Sequence, residues 1–427
     1  MVSARALGAR GPRFESGRPD QDGRTSPRWW YRHHVSSFIG RLALTASALM
    51  LLTQPASAST SSSANEQLTL VAFATPNSGI GVFTRTTATT CTDMAGPTSN
   101  GGATFGPLTA VTSWNCNDSF GPTAVVFGAN GNGFLYGPGL FTTHDGGRTW
   151  TRSVQRAAVL AIDIVGTSVW MLESACSPGS ASLRCQLDLR TSSNGGRSWQ
   201  SLATPSRAIA PRQFRAVANG QTFLLRVSSR RAILESAPQG GSSNLGRTSF
   251  WITADGGAQW SHRVISCAMP RDLNVMSISI AAGRGASLYA VCATEASAGE
   301  ELKSVLRSTN GGRSWKVMTD CITPSRRSCS SPVLNAGYVG AVVAAPTNSL
   351  FISGDRTALL VSRDGGARWR LASPAIGNTG SSTQAPIFFS AQRGVILEPF
   401  ANYGNTSTLW ETADGGVEWT PRIPRVT

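Results

Sequence analysis

An eight-residue motif recurs along this chain and constrains its fold more than any other sequence feature. It begins with Ser or Thr, has Asp or Asn at its third position and a Gly-Gly pair next, and ends with an aromatic residue. One clear copy runs from Thr143 to Trp150, and successive final aromatic residues are 45 to 61 residues apart. The final residues are Phe105, Trp150, Trp199, Trp260, Trp315, Trp369 and Trp419. Such a period indicates similar units that stack on one another.

Each position of the motif has a physical role in a tight turn. The third side chain can accept hydrogen bonds from N–H groups of the turn. The glycine pair provides backbone conformations with positive φ, and the final aromatic ring can bury itself between neighbouring units. The third-position residues are Asn100, Asp145, Asn194, Asp255, Asn310, Asp364 and Asp414. We therefore expect these residues to be structural rather than catalytic.

Short segments of strand character surround every turn, and no amphipathic helix is predicted. Before and after the motif that ends at Trp150, the sequence predicts four strands, at Thr123–Gly128, Gly133–Tyr136, Leu140–Thr143 and Thr149–Val154. Four strands in each period of about fifty residues are typical of β-propeller blades. The sequence therefore predicts an all-β fold with a single seven-bladed β-propeller over residues 65–427. Six blades with residues 65–120 as an N-terminal cap are the alternative.

The motif resembles the Asp-box, also called the bacterial neuraminidase repeat, and the chain resembles a secreted bacterial member of that superfamily. Asp-box propellers include sialidases, sortilin-type receptors, xyloglucan-active glycosidases and the photosystem II assembly factor. In these proteins the box joins the third and fourth strands of a blade, on the face away from the active site. The resemblance therefore implies the fold and leaves the activity open.

A sialidase would need three arginines for the substrate carboxylate, a Tyr–Glu nucleophile pair and an acidic proton donor. Family members carry an Arg-Ile-Pro motif before the first box, whereas here it occurs after the last box, at Arg422–Pro424. Tyr403 is the only tyrosine that the sequence places on a loop rim. No catalytic residue is therefore predicted, although a secreted glycosidase acting on acidic or cell-wall glycans is the alternative function.

Long connections are expected on the face opposite to the boxes, where binding residues of a rigid scaffold tend to lie. Two of them carry the arginine pairs Arg230–Arg231 and Arg326–Arg327. Together with Tyr403, these arginines suit a partner protein or an anionic glycan. The predicted connections are Ser174–Leu187, Ser228–Gly246, Ala293–Glu301, Asp320–Ala336 and Pro399–Asn405. The leading hypothesis is a secreted propeller that binds such a partner and catalyses nothing.

The N-terminal residues have the layout of a secretory signal peptide. The apolar run Leu42–Leu52 follows Arg41 and precedes the small residues Ala56–Ala58. It is too short to span a bilayer, although an uncleaved anchor is the alternative. We interpret residues 35–58 as the signal peptide and 59–64 as a short linker. Residues 1–34 resemble in part a translated tRNA gene, so we interpret them as an extension upstream of the true start.

Eight cysteines follow this segment, and none forms a CxxC pair. An even number of such cysteines favours disulfides in an oxidising, extracellular compartment, with free buried cysteines as the alternative. Proximity along the chain suggests the pairs Cys91–Cys116, Cys176–Cys185, Cys267–Cys292 and Cys321–Cys329.

The composition bears on the partners of the chain. It has 38 basic and 23 acidic residues and a formal net charge of +15, but the basic residues are scattered. Because they form no continuous stripe with interleaved aromatic residues, a nucleic-acid partner is not predicted. His144 and His262 are the only histidines beyond the N-terminal segment, so we expect no multi-histidine metal site. We also expect no other metal and no cofactor. We also expect a monomer without a stable membrane span.

Overall fold

Seven four-stranded antiparallel sheets form the described part of the chain, which confirms the predicted seven blades. The expected extension, signal peptide and linker lie outside the described residues. Each blade uses consecutive strands, apart from the first blade, in which a two-residue strand intervenes. The structure, a computed structural model, describes residues 66–117, 122, 124–137, 139–153, 158–174, 187–205, 222–236, 247–267, 275–294, 300–322, 329, 331–377, 383–399 and 407–427.

The first four blades follow one another in simple up-and-down order. Blade 1 contains β1 (Glu66–Phe73), β2 (Gly79–Thr86), β3 (Thr90–Thr98) and β5 (Thr109–Asn115), with the short β4 (Thr104–Phe105) between the last two. Blade 2 contains β6 (Ala124–Phe127), β7 (Gly133–Tyr136), β8 (Leu140–Thr143) and β9 (Thr151–Ser153). Blade 3 contains β10 (Ala158–Val165), β11 (Ser168–Ser174), β12 (Leu187–Ser192) and β13 (Gln200–Leu202). Blade 4 contains β14 (Thr222–Arg226), β15 (Ala232–Ser236), β16 (Arg247–Thr253) and β17 (Ser261–Ser266).

The last three blades repeat this order. Blade 5 contains β18 (Val275–Ala282), β19 (Leu288–Thr294), β20 (Lys303–Ser308) and β21 (Lys316–Asp320). A 3-10 helix at Pro332–Asn335 precedes blade 6, which contains β22 (Tyr338–Ala344), β23 (Leu350–Asp355), β24 (Leu360–Ser362) and β25 (Arg370–Leu371). Blade 7 contains β26 (Ile387–Phe388), β27 (Gly394–Glu398), β28 (Thr408–Thr412) and β29 (Thr420–Arg422), and β30 (Arg425–Val426) follows it.

The core consists of seven hydrophobic seams, and each seam joins two neighbouring blades. In one of them Phe250 of blade 4 packs with Leu288 of blade 5. In another, Leu68 of blade 1 packs with Leu397 of blade 7, so the ring is closed. Closure protects the edges that an open stack of sheets would expose. Because residues 66–115 form a complete blade, the alternative of six blades with a cap is wrong.

The box turns share one hydrogen-bonding pattern, which blade 2 illustrates. The Thr143 hydroxyl donates to Asp145 Oδ1 at 2.8 Å and accepts from the Gly147 N–H at 2.9 Å. Asp145 Oδ1 also accepts from the N–H groups of Arg148 and Thr149, both at 3.0 Å. The turn is therefore held by contacts within eight residues, which is why its motif is readable in the sequence.

The final aromatic residue of the box packs against the preceding blade. Trp199 of blade 3 meets Phe134 of blade 2, with 6.0 Å between ring centres, and Trp315 of blade 5 meets Phe250 of blade 4 at 6.1 Å. Phe105, Trp369 and Trp419 are buried, whereas Trp150, Trp199, Trp260 and Trp315 are half-buried. The expected burial of these rings between blades is complete at three boxes and partial at four.

The hairpin between the first and second strands lies at the same end of each blade as the box. In every blade the first glycine of the box donates its N–H to a carbonyl of this hairpin. The donor–acceptor pairs are Gly101–Asn77, Gly146–Gly131, Gly195–Thr167, Gly256–Arg230, Gly311–Ala286, Gly365–Asn348 and Gly415–Gln392. We call this end of the ring the box face. The opposite end, which carries the connections between second and third strands and between blades, is the loop face.

Candidate functional site

The first strand of each blade begins at the loop face, and the first strands of blades 1 to 4 contact one another in succession, as do those of blades 5 and 6. Four first strands have an irregular register close to this beginning, where a bulge inserts one residue. The bulges lie between Leu68 and Leu70, Val159 and Ala161, Val275 and Ser277, and Val339 and Ala341. Bulges of this kind are over-represented beside binding and active sites, because they redirect side chains.

Tyr338 and Arg356 lie together at the loop-face end of blade 6. Tyr338 begins β22, and Arg356 directly follows Asp355, the residue of β23 that pairs with Tyr338. The guanidinium carbon of Arg356 lies 5.2 Å from the centre of the Tyr338 ring, within the range of a cation–π contact. Arg356 is exposed and has a φ of 60°, which non-glycine residues seldom adopt. Such strain tends to occur where a side chain must be presented in a fixed position.

Lys303 ties blade 5 to the segment that leads into Tyr338. It is fully buried, and its Nζ donates to the carbonyl oxygens of Glu301 at 3.2 Å, Ala336 at 3.1 Å and Gly337 at 2.8 Å. These three bonds use all the donors of the ammonium group. Burial lowers the pKa of Lys303 to about 8, although the charges of Glu301 and Glu300 oppose the shift.

Glu301 joins the same group of side chains. Its Oε2 accepts a hydrogen bond of 2.9 Å from the N–H of Val339, the residue after Tyr338. Burial raises the pKa of the Glu301 carboxyl, while the Val339 hydrogen bond and the charge of Lys303 oppose this shift. We call Glu301, Lys303, Tyr338 and Arg356 the blade 5–6 cluster. A carboxyl and an amine with perturbed pKa values side by side are frequent at functional sites, and also in structural charge networks.

The predicted ligand-binding arginines Arg230 and Arg231 lie on the box face, and their expected position on the loop face is wrong. They end the hairpin between β14 and β15, and the Arg230 carbonyl accepts from Gly256 of the box at 2.8 Å. The Arg231 guanidinium donates to the Gly285 carbonyl of blade 5, and burial lowers its pKa. Arg326, Arg327 and Tyr403 lie outside the described residues. A ligand-binding role for all five residues stays a prediction.

A missed strand explains this misplacement. The sequence predicts one long connection over Ser228–Gly246, whereas the structure has β15 within it. That strand is five residues long, and its sequence AILES has no alternation of polar and apolar residues to mark it. The two arginines consequently belong to a tight hairpin, not to a long loop.

The blade 5–6 cluster was not predicted as a site. The sequence predicts Tyr403 as the only rim tyrosine, yet Tyr338 lies at the loop face, half-buried under Arg356. The contact depends on the pairing register of β22 and β23, in which Tyr338 faces Asp355. Pairing the β22 and β23 sequences in their correct register would have placed Arg356 beside Tyr338.

Two other carboxylates at the loop-face ends of strands have partners within the fold. Glu398 accepts hydrogen bonds from the Gly377 N–H at 3.2 Å and from the indole N–H of Trp410 at 2.9 Å. Glu66 forms an ion pair with Arg85. These contacts give both carboxylates a structural role.

Three of the four predicted disulfides are present in the described residues. They join Cys91 to Cys116, Cys267 to Cys292 and Cys321 to Cys329, with Cα–Cα distances of 5.2, 6.2 and 4.5 Å. The fourth predicted pair, Cys176–Cys185, lies outside the described residues. Disulfides of this number are consistent with an extracellular protein.

Within the described ranges, no group of three or more His, Cys, Asp or Glu side chains is arranged to hold a metal ion. No helix in the same part of the chain combines the length and the apolar character needed to cross a membrane.

Comparisons with known proteins give structural likenesses only. No protein-family model matches the sequence, and no curated protein matches it. The chain is similar to YCF48 bound to a D1 peptide, with 19% identity, coverage of 79% of this chain and 92% of that chain, and a TM-score of 0.49. YCF48 from Cyanidioschyzon merolae is 16% identical, the match covers 83% of this chain and 94% of that chain, and the TM-score is 0.49. The α-L-arabinanase of Penicillium chrysogenum complexed with arabinobiose is 10% identical, the match covers 82% of this chain and 92% of that chain, and the TM-score is 0.41.

The architecture itself carries the assignment of this chain. It has four strands in each of seven blades, one box turn per blade and a closed ring of hydrophobic seams. The chain is thus a seven-bladed β-propeller in which each four-stranded blade carries one box turn.

Proposed function

We propose that the protein is a secreted, non-catalytic binding protein that holds an anionic partner at its loop face through the blade 5–6 cluster. The observation that carries this proposal is Arg356, exposed with a φ of 60° and stacked over the Tyr338 ring. A planar guanidinium can stack on an aromatic ring and can bind a carboxylate through two parallel hydrogen bonds, so this side-chain type suits recognition of a planar anionic group.

Preorganisation supports the binding role. The three hydrogen bonds from Lys303 Nζ to carbonyl oxygens fix the segment before Tyr338. The pairing of β22 with β23 fixes Arg356 relative to the Tyr338 side chain. A side chain that is already ordered loses less entropy when a partner binds. The partner is a protein carboxylate or an acidic glycan, since both present a planar anionic group.

Glycoside hydrolysis is the competing function. It requires two carboxyl groups about 5–9.5 Å apart on either side of the scissile bond. Glu301 has a raised pKa and is the group of the cluster that would donate a proton. Its hydrogen bond to Val339 and its proximity to buried Lys303 favour a structural role instead. Release of sugar from a glycan is the observation that separates the two functions.

The test uses the purified protein on an array of sialylated, uronic-acid and neutral glycans and of peptides with a free C-terminal carboxylate. Both retained protein and released sugar are measured. We expect retention on anionic probes without release, and a loss of about tenfold or more in affinity for Arg356→Ala. Arg356→Lys keeps the charge but not the planar fork, so it should restore only part of the affinity.

The result that would overturn this function is equally definite. Sugar release by the wild-type protein, abolished by Glu301→Gln, would make the protein a glycosidase. Retention that Arg356→Ala and Tyr338→Leu leave unchanged would remove the blade 5–6 cluster from the binding site. Arg247→Ala is the matched control, because Arg247 is an exposed arginine at the loop-face end of another blade.

A further inference from the structure

The box face carries a concentration of arginines that the loop-face function does not use. The box turns and first hairpins of blades 2 to 5 contain six arginines and only two acidic residues, Asp145 and Asp255. We call these six residues the basic arc, and five of them are exposed while Arg231 is half-buried. The arc consists of Arg148, Arg197, Arg230, Arg231, Arg284 and Arg313.

The acidic residues within the arc are already committed to the turns. Asp145 accepts hydrogen bonds from the Arg148 and Thr149 N–H groups, and Asp255 accepts from the Gln259 N–H at 3.0 Å. The ion pairs found among the described residues involve other arginines, at positions 85, 190 and 422. The positive charge of the arc is therefore not neutralised by ion pairs with described carboxylates.

The guanidinium groups of the arc retain donors for a ligand. Arg148 Nη1 donates to the Asp145 carbonyl at 3.1 Å, and Arg197 Nη1 donates to the Asn194 carbonyl at 3.2 Å. Each guanidinium has five N–H donors, so these single contacts orient the group and leave its remaining edge outward.

Arg197 also lies close enough to the neighbouring blade for its charge to act on a residue there. Burial and the charge of Arg197 of blade 3 lower the pKa of His144 in the box of blade 2.

The side chains among the arginines indicate which anion fits. Thr149, Ser198, Gln259 and Ser314 are exposed at the seventh box position of blades 2 to 5 and can hydrogen-bond to sugar hydroxyls. Of the large apolar side chains that are exposed in the described part of the chain, only Val417 belongs to a box turn, and it lies in blade 7. Membrane insertion needs exposed apolar side chains, and unpaired nucleic acid needs aromatic platforms, so neither is favoured.

We propose that the basic arc is a second binding surface, distinct from the blade 5–6 cluster, for a linear polysaccharide that carries carboxylate or sulfate groups along its length. Each of blades 2 to 5 contributes at least one arginine to the arc, so the arginines follow one another around the ring. A polymer with regularly spaced charges can contact several of them at once, whereas a small anion cannot.

The test measures binding of the purified full-length protein to polygalacturonate, to dextran sulfate and to neutral dextran of equal size. We expect binding to the two anionic polymers, weakening with salt, and none to neutral dextran. The combined change Arg148→Ala, Arg197→Ala and Arg313→Ala should weaken polymer binding on the order of 100-fold, if each arginine near an anionic ligand contributes as at a charged surface. Alanine occupies the same box position at Ala103, Ala258 and Ala367, so the turns tolerate it.

The control removes the same charge elsewhere. Arg152→Ala, Arg247→Ala and Arg425→Ala change three exposed arginines that lie in strands rather than in box turns or first hairpins. This variant should bind the polymers within about threefold of the wild type, because its three arginines lie outside the box turns and first hairpins that form the arc. Equal losses of polymer affinity in the two triple variants would mean that binding depends only on the net charge of the protein. That result would overturn the proposal.

Two further outcomes decide the identity of the ligand. Tighter binding to phosphatidylglycerol vesicles or to a 20-nucleotide oligothymidylate than to either polymer would overturn the polysaccharide. Arg356→Ala should leave polymer binding at the arc unchanged, so failure here and failure of the loop-face function are distinguishable. Melting temperatures of all variants within a few degrees of the wild type establish that folding is intact.

Discussion

At the scale of single residues, the box positions were predictable because their contacts are local. Thr143, Asp145 and Gly147 meet one another within the motif, so their identities alone define the turn. Asn replaces Asp in three boxes and keeps the same contacts: Asn194 Oδ1 accepts from the Ser198 N–H at 3.0 Å. The two residues differ in charge, and this difference should be visible in the pH dependence of stability.

Asp145→Asn tests the charge of the box carboxylate. Partial burial raises the pKa of Asp145, but hydrogen bonds from Thr149, Thr143 and the Arg148 N–H outweigh it and lower the pKa to about 2. A carboxyl whose pKa is lowered by folding stabilises the protein above its unfolded pKa of about 3.9, and this contribution disappears as the pH falls towards 2.

The expected outcome is therefore a difference in stability between wild type and Asp145→Asn that is present at pH 7 and shrinks as the pH falls from about 4 through about 2. At pH 7 it should be at most about 1 kcal/mol, since solvent screens an exposed carboxylate. Urea unfolding at pH 7, 4 and 2.5 measures it. The reverse change, Asn194→Asp, should add acid sensitivity, and a pH-independent difference in both variants would contradict the role of the charge.

At the scale of the element, the second glycine of the box links one blade to the next. A Cβ at Gly312 would clash with the ring of Phe250 in blade 4, and one at Gly416 would lie 2.6 Å from the ring of Phe351 in blade 6. The same aromatic residues pack against the tryptophans that end those boxes. The box therefore sets the turn and the spacing between blades together.

Gly312→Ala and Gly311→Ala separate these two tasks. Both glycines have positive φ, of 80° and 70°, but a Cβ at Gly311 meets nothing within 4 Å. Gly311→Ala should cost about 1–2 kcal/mol for backbone strain alone. Gly312→Ala adds an overpacked seam and should cost about 2–5 kcal/mol. Chemical unfolding measures the loss of stability in both variants. Equal losses would mean that the seam between blades 4 and 5 accommodates the added methyl group without a loss of stability.

Contacts between elements were harder to predict than the elements. The strands Gly133–Tyr136 and Leu140–Thr143 were predictable from their composition and flanking turns. The hairpin that holds Arg230 and the contact of Arg356 with Tyr338 depend on pairing register and on loops outside any repeat. A repeat motif carries no information about such positions, so the loop-face site required the structure.

At the scale of the whole molecule, disulfides reinforce the ring at the loop-face ends of its strands. Cys267 follows the last strand of blade 4 and Cys292 lies in the second strand of blade 5, so their bond joins two blades. Loop entropy predicts a loss of about 3.5 kcal/mol for Cys267→Ser with Cys292→Ser. The shorter loop of Cys321–Cys329 predicts about 2.6 kcal/mol. Thermal unfolding of the two double variants should rank them in this order, and the reverse ranking would contradict the chain-entropy account.

Closure of the ring depends on contacts between its first and last blades. Blade 1 and blade 7 each use strands from one end of the described chain only, and their seam contains a parallel pairing of β30 with β4. Arg425 N–H donates to the Ala103 carbonyl at 3.2 Å, and Thr427 N–H donates to the Phe105 carbonyl at 2.9 Å. The buried Ser407 hydroxyl adds a bond of 2.7 Å to the Leu68 carbonyl.

Deletion of residues 425–427 should open this seam locally without unfolding the protein, because the hydrophobic cluster and the Ser407 bond persist. Hydrogen exchange should accelerate in β1 and β27, while the amides of blades 3 to 5 keep their protection. Val426→Ser is the control: its side chain is 44% exposed, so loss of the side chain alone should leave exchange unchanged. If β1 and β27 stay protected after the deletion, the seam closes without the terminal strand. If all seven blades lose protection together, the ring unfolds as one cooperative unit whose stability depends on its last three residues.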